Sequence, residues 1–168
     1  MREQKWGVFS IKNAVVVKVN NDAAASSYGK YVITADKTGT IVRYGHLAST
    51  AVIAGQNISA GELLGIMGDT GRGIPSPNKH LHVSVYPAGT PDPYWGKNAT
   101  INPIKYILEG GEYPCNTRPT TDFGQMIGNP PYPHEGLDFS GLEKNIIDGW
   151  QAGIDCAKVF DEYRKKRG

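Results

Sequence analysis

The chain has 168 residues, enough for one domain with a small appendage and for a sizeable buried core. A formal charge of +2, with 20% charged and 39% hydrophobic residues and no basic stripe interleaved with aromatics, argues against nucleic acid as the partner. With Gly 21 and Pro 11, the composition suits short strands joined by turns rather than a helical bundle.

The opening "MREQKWGVFSIKNAVVVKV" carries charge but no continuous apolar core ending in a small-residue cleavage site, so no signal peptide is expected. No stretch is long and apolar enough to span a membrane. The expectation is a chain that is cytoplasmic, exported by another route, or carried on a particle. "VFSIKNAVVVKVN" reads as one or two strands with a Val-rich centre, and "NDAAASSYG" as a polar turn. "KYVITADKTGTIVRYGHL" reads as a hairpin turning at "DKTG". In "AVIAGQNISAGELLGIMGDTGRG" Gly55, Gly61, Gly65, Gly68, Gly71 and Gly73 punctuate short apolar pieces, which suits short strands folding back on one another. The stretch has no GK[ST] and no flanking strand and helix, so a nucleotide site is not expected.

"HLHVSVY" reads as the next strand, followed by the proline-rich loop "PAGTPDPYWGKNATINP" and a short helical turn with a linker in "INPIKYILEGGEYP". The stretch from residue 116 is mostly loop, with a short strand expected at "GLDFS". The last stretch, 142–168, places Ile146, Ile147, Trp150, Ile154, Ala157 and Phe160 at helical spacing, an amphipathic helix with positive charge at its C-terminal end. Such a helix packs on its own domain or docks on a partner, including a second copy. Cys115 and Cys156 lack C-x-x-C spacing, leaving one disulfide or two free thiols as the alternatives.

Four histidines carry the chemistry. His80 and His82 stand at i and i+2 of a strand and so share a face. An isolated pair of this kind can be an exposed polar face, with Ser84, over buried Val83 and Val85. His46 stands in "RYGHLAS", and His134 stands four residues before Asp138 in "PHEGLDFSG". A hydrolytic zinc site takes three His or carboxylate ligands and leaves a fourth position for water. His134, Asp138 and one histidine of the H-x-H pair supply such a set, and two imidazoles remain to move protons. Tyr132, two residues before His134, is a candidate donor to an oxyanion. Tyr44, Tyr86 and Trp95 are candidates to line a groove, against the commoner role of aromatics in the core. Asn78 and Arg72 are weaker candidates near the H-x-H pair.

Three stretches, "YGKYVITADKTGTIVRYGHLAST", "VIAGQNISAGELLGIMGDTG" and "HLHVSVY", closely resemble the lysostaphin/LytM-type zinc metallopeptidases, and "HEGLDFSG" is similar to that family's first metal motif, H-x-x-x-D. The resemblance covers roughly residues 7 to 107 and 116 to 141 and takes in all four histidines. It implies a mainly antiparallel β fold with a groove and one bound zinc ion. It also implies His134, Asp138 and His82 as metal ligands, His46 and His80 as catalytic residues, and the peptide of bacterial peptidoglycan as substrate. A lysin or a wall-piercing component of a phage or similar particle is the setting this suggests.

The order of the motifs departs from the family. H-x-x-x-D follows the other motifs here instead of preceding them, as in a circular permutation. The expected organisation is a metallopeptidase domain over 1–141, with 108–120 as the joining linker, followed by the helix of 142–168. A piece of a tandem array and a segment-exchanged dimer would give the same order. A non-catalytic structural or binding module that keeps the fold is the alternative of a different class. Glycine patterns of this kind also occur in biotinyl and lipoyl carrier hairpins, but those need a lysine at the hairpin tip, and none lies between Lys37 and Lys79.

Overall fold

Valine-rich segments pair into a sheet wherever turn residues let the chain reverse. The structure is a computed structural model that describes residues 6–73, 79–90, 100–111 and 114, together with the backbone of 119–121, 126–127, 132–133 and 137–140. The first apolar run divides into β1 (Gly7–Phe9) and β2 (Ala14–Asn20). The expected hairpin follows as β3 (Lys30–Asp36) and β4 (Ile41–Thr50). Its turn is closed by the Asp36 carboxylate, which accepts from the amides of Thr38 (2.8 Å) and Thr40 (3.1 Å). The glycine-punctuated stretch supplies β5 (Asn57–Ile58) and β6 (Leu63–Met67), and "HLHVSVY" is β7 (His80–Tyr86).

The short helix α1 (Pro103–Leu108) begins at Asn102, whose side chain accepts from the Ile104 amide, with Pro103 in the first turn. Its Tyr106 hydroxyl donates to the Asp36 carboxylate at 2.8 Å, which pins the helix to the β3–β4 turn. Beyond it come β8 (Pro119–Thr121), β9 (Met126–Ile127), β10 (Tyr132–Pro133) and β11 (Leu137–Ser140). The strand expected at "GLDFS" is present as β11. The three strands before it lie in a stretch read from sequence as mostly loop; they are two or three residues long, too short to show a period of two.

The main sheet is antiparallel in the order β5-β2-β3-β4-β7-β11-β8, with β6 paired to both β1 and β4; β9 and β10 form a separate pair. Val32, Val42, Tyr44, Leu81 and Val83 join the apolar core, closed by Leu64 of β6 and Ile107 of α1. The Phe9 amide donates to the Pro114 carbonyl at 2.8 Å, which ties the segment after α1 back to β1. This lies in the expected linker of 108–120, whose last two residues begin β8.

A change of partner along β4 positions His46. Ile41 to Gly45 pair with β7, whereas Leu47 to Thr50 pair with β6, so β4 changes neighbour at His46. No described helix is long and apolar enough to cross a membrane. The expected helix of 142–168, together with Cys115 and Cys156, lies outside the described residues.

Candidate active site

Alternation along β7 sends Leu81, Val83 and Val85 into the core and His80, His82 and Ser84 to the opposite face. That face is not the exposed polar surface an isolated H-x-H allows. His80 is 9%, His82 7% and Ser84 0% exposed, because β4 and the loops at 26–29 and 68–72 cover it. Gly45 is the register partner of His82 on β4, and Tyr28 lies beside the His82 ring, with centroids 5.5 Å apart.

His46 reaches the same place by breaking the strand rule. Tyr44 and Leu47 both belong to the core although they are three residues apart, which a regular period of two forbids. The break is at His46, whose φ of 62° makes it the one described non-glycine residue in the left-handed region. Its amide donates to the Tyr28 carbonyl at 2.8 Å, and its ring lies 4.3 Å from that of His80 and 6.0 Å from that of His82. Nδ1 is 2.8 Å from the Thr70 carbonyl oxygen. A carbonyl only accepts, so Nδ1 carries the proton, and in the neutral ring Nε2 is the basic nitrogen.

His82 is oriented from the other side. Its Nε2 lies 2.9 Å from Ser84 Oγ, and the same oxygen accepts a longer bond, 3.4 Å, from Arg43 Nη2. Arg43 is fully buried, with its guanidinium carbon 3.3 Å from the Tyr28 ring centroid and 5.4 Å from that of Tyr86. A buried cation is thus held against two aromatic faces behind the histidines. Tyr28 and Arg43 are not among the residues expected from the sequence, and Ser84 is expected there only as part of an exposed polar face. Ser84 was within reach of sequence reasoning, since it shares the strand face of His82; Arg43 was not, because only the register identifies it as the partner of Ser84.

The late motif returns to the same strand. Asp138 of β11 is the direct register partner of His82, with Phe139 opposite Leu81 and Ser140 opposite His80. His134 lies outside the described residues. Among the described residues no group of His, Cys, Asp or Glu side chains is arranged to hold an ion. The donor types do fit zinc: with Nε2 of His82 engaged by Ser84, Nδ1 is the nitrogen that would coordinate, beside the strand that carries Asp138.

The remaining expectations divide. Tyr44 and Tyr86 are each 0% exposed, so neither lines an open groove. Burial pushes the Tyr44 hydroxyl up to about 12, against hydrogen bonds with Ile11, Ser10 and Thr34 that act in the other direction. Arg72 is exposed and donates to the Ala25 carbonyl at 3.4 Å, so it braces a loop. Tyr132 begins β10 opposite Ile127, with only its backbone described. Asn78 and Trp95 lie outside the described residues.

The chain is similar to known proteins in sequence and in fold. Residues 2–93, which carry His46, His80 and His82, match the model of peptidase family M23. Over 84 residues the chain is 34% identical to the peptidoglycan DD-endopeptidase ShyA of Vibrio cholerae, and it spans 18% of the length of that protein. In structure it is similar to the catalytic domain of lysostaphin from Staphylococcus simulans. The TM-score is 0.51 at 20% identity, over 63% of this chain and 74% of that one. A structure of LytU is also matched, at a TM-score of 0.47 and 25% identity, over 61% of this chain and 67% of that one. The fold is therefore the mainly antiparallel, lysostaphin-like one expected from the sequence. With His46, His80 and His82 brought to one face of that fold and more than half its length matched by the family model, the chain belongs to peptidase family M23.

Proposed function

We propose that the chain is a zinc-dependent endopeptidase that hydrolyses the peptide of bacterial peptidoglycan at the cell wall, as a lysin or as part of a wall-piercing particle. The observation that carries this reading is the convergence of His46, His80 and His82 on one buried face, with Asp138 registered directly opposite His82. His82, Asp138 and His134 are the ligands in this reading. The register of β11 beside β7 supports a permuted motif order that closes on itself within one chain over 1–141, with no need of a second copy to supply Asp138.

Zinc held there would supply a Lewis acid that polarises a peptide carbonyl and makes water acidic near neutral pH. The rest is done by the protein. His46, with its proton fixed on Nδ1, presents Nε2 to take the proton of the attacking water. His80, whose ring touches that of His46, is placed to return a proton to the leaving amine. Tyr132 is the proposed donor to the carbonyl oxygen as it becomes an oxyanion. The match to ShyA, whose name gives its substrate as peptidoglycan, supports the same substrate class here.

The test pairs metal content with hydrolysis. Purified protein of known oligomeric state should hold about one zinc per chain, lost in His134→Ala, and should release soluble peptide fragments from purified peptidoglycan. Zinc far below one per chain and indifferent to His134 would mean that the late motif does not close the site. A non-catalytic module with the peptidase fold would then be the better description.

A further inference from the structure

We propose that Thr70 is the positioning residue of His46, acting through both its carbonyl and its hydroxyl. The inference rests on the reading that His46 moves the proton in hydrolysis. Its physical basis is independent of metal.

Thr70 touches the β3–β4 pair beside the bulge at three points. Its carbonyl receives the proton of His46 Nδ1 at 2.8 Å. Its hydroxyl donates to the Leu47 carbonyl at 2.8 Å and accepts from the Lys30 amide at 3.0 Å. Lys30 and Leu47 are register partners on β3 and β4, so this hydroxyl links the two strands one residue beyond His46. The β3–β4 ladder is irregular here, with a shift between Lys30 and Val32, and β4 leaves β7 for β6 at the same point. A hydroxyl has one proton to give and can accept in return, and both capacities hold the distorted backbone. The left-handed φ of His46 is strained and persists only where its surroundings over-determine it.

The loop carrying Thr70 is itself held without slack. Gly29 has a φ of 58°, and a Cβ added there would fall on the carbonyl carbon and hydroxyl of Thr70. Gly71 has a φ of 129°, and its Cβ would fall on the Ser27 carbonyl oxygen. The Arg72 amide donates to the Ser26 carbonyl at 3.0 Å. The two loops therefore lock backbone to backbone, and Thr70 passes that rigidity to the imidazole. Fixing the proton on Nδ1 selects the tautomer in which Nε2 is basic, and fixing the bulge sets where Nε2 points.

Thr70→Val keeps the shape and the carbonyl but removes the hydroxyl, and Thr70→Ser restores it. In the metal-free full chain, at a pH where imidazole is neutral, long-range proton–nitrogen NMR correlations report which ring nitrogen bears the proton. The wild type and Thr70→Ser should show His46 protonated on Nδ1, and Thr70→Val should show a mixed or reversed tautomer. Turnover on peptidoglycan should fall by roughly tenfold to a hundredfold in Thr70→Val with KM unchanged, and recover in Thr70→Ser. An Nε2-protonated His46 in the wild type would overturn the proposal, as would a Thr70→Val variant with wild-type tautomer and turnover. Should Thr70→Val not fold, Thr70→Ala is read in its place, and the wild-type tautomer still decides. A wild type that hydrolyses no peptidoglycan would sink the proposed function and leave the tautomer comparison intact.

Discussion

Asp138 and His82, far apart in sequence, are direct register partners on the adjacent strands β11 and β7. Opposed residues of an antiparallel pair are the closest neighbours two strands offer, so a residue late in the chain is brought beside the H-x-H strand. Asp138→Ala should lower zinc affinity by about a hundredfold or more, beyond the loss typical of a residue that only supports a ligand. Competition with a chromogenic chelator measures it, and unchanged affinity would remove Asp138 from the ligand set.

Ser84→Ala tests the support behind His82. The hydroxyl engages Nε2 at 2.9 Å and is itself backed by buried Arg43. Its removal should weaken zinc binding by roughly tenfold to a hundredfold. Because the ligands themselves remain, saturating zinc should restore most of the hydrolysis.

His46→Ala and His80→Ala should separate chemistry from metal binding. Each is expected to keep about one zinc per chain and to lose turnover by about 10²- to 10⁴-fold. His82→Ala should lose both. A His46→Ala protein that still turned over at the wild-type rate would deny His46 its assigned role.

Gly29→Ala should be damaging despite its small volume. It forces a φ of 58° on a residue with a side chain and drives that side chain into Thr70. A loss of about 1 to 3 kcal/mol is expected from overpacking and strain, read from the urea unfolding midpoint. Gly55→Ala is the control: its φ is 87°, but nothing lies within 4 Å of the added Cβ, so it should suffer the strain alone.

Acid should loosen the β3–β4 turn and α1 together. Burial raises the Asp36 pKa, but hydrogen bonds from the Thr38 and Tyr106 hydroxyls and the Thr38 and Thr40 amides outweigh it, so the net shift is downward from 3.8. A depressed carboxyl pKa means stability that is present above the unfolded value and lost as pH falls through the folded one. Burial raises the Tyr106 pKa, and the bond to Asp36 raises it further, so its hydroxyl stays protonated as the donor. Tyr106→Phe should cost about 1 kcal/mol near neutral pH and move the Asp36 pKa upward, as followed by carboxyl NMR. An unmoved Asp36 titration would show that the bond contributes nothing in solution.

The strand alternation of "HLHVSVY", the turn at "DKTG" and the pairing of His80 with His82 on one face were all legible in the residues, because period and turn chemistry are local. So was the donor inventory, since His46, His80, His82, His134 and Asp138 are the residue types that zinc hydrolysis needs. Burial of the H-x-H face was not legible, because it depends on loops and a neighbouring strand packed over it. The groove role considered for Tyr44 and Tyr86 failed for the same reason: Tyr44 packs in the core and Tyr86 is buried on the histidine face beside Arg43, at positions set by register.

What the sequence determined by itself was therefore the sheet, its turns and the chemistry it could carry, all of them properties of neighbouring residues. What only the tertiary structure decided was the meeting of those residues. His46 joins the other imidazoles because β4 switches partners and adopts a left-handed φ at that one residue. Asp138 meets His82 because β11 adds to β7 in one register and not another. Both are long-range choices of pairing, fixed by what the whole sheet buries.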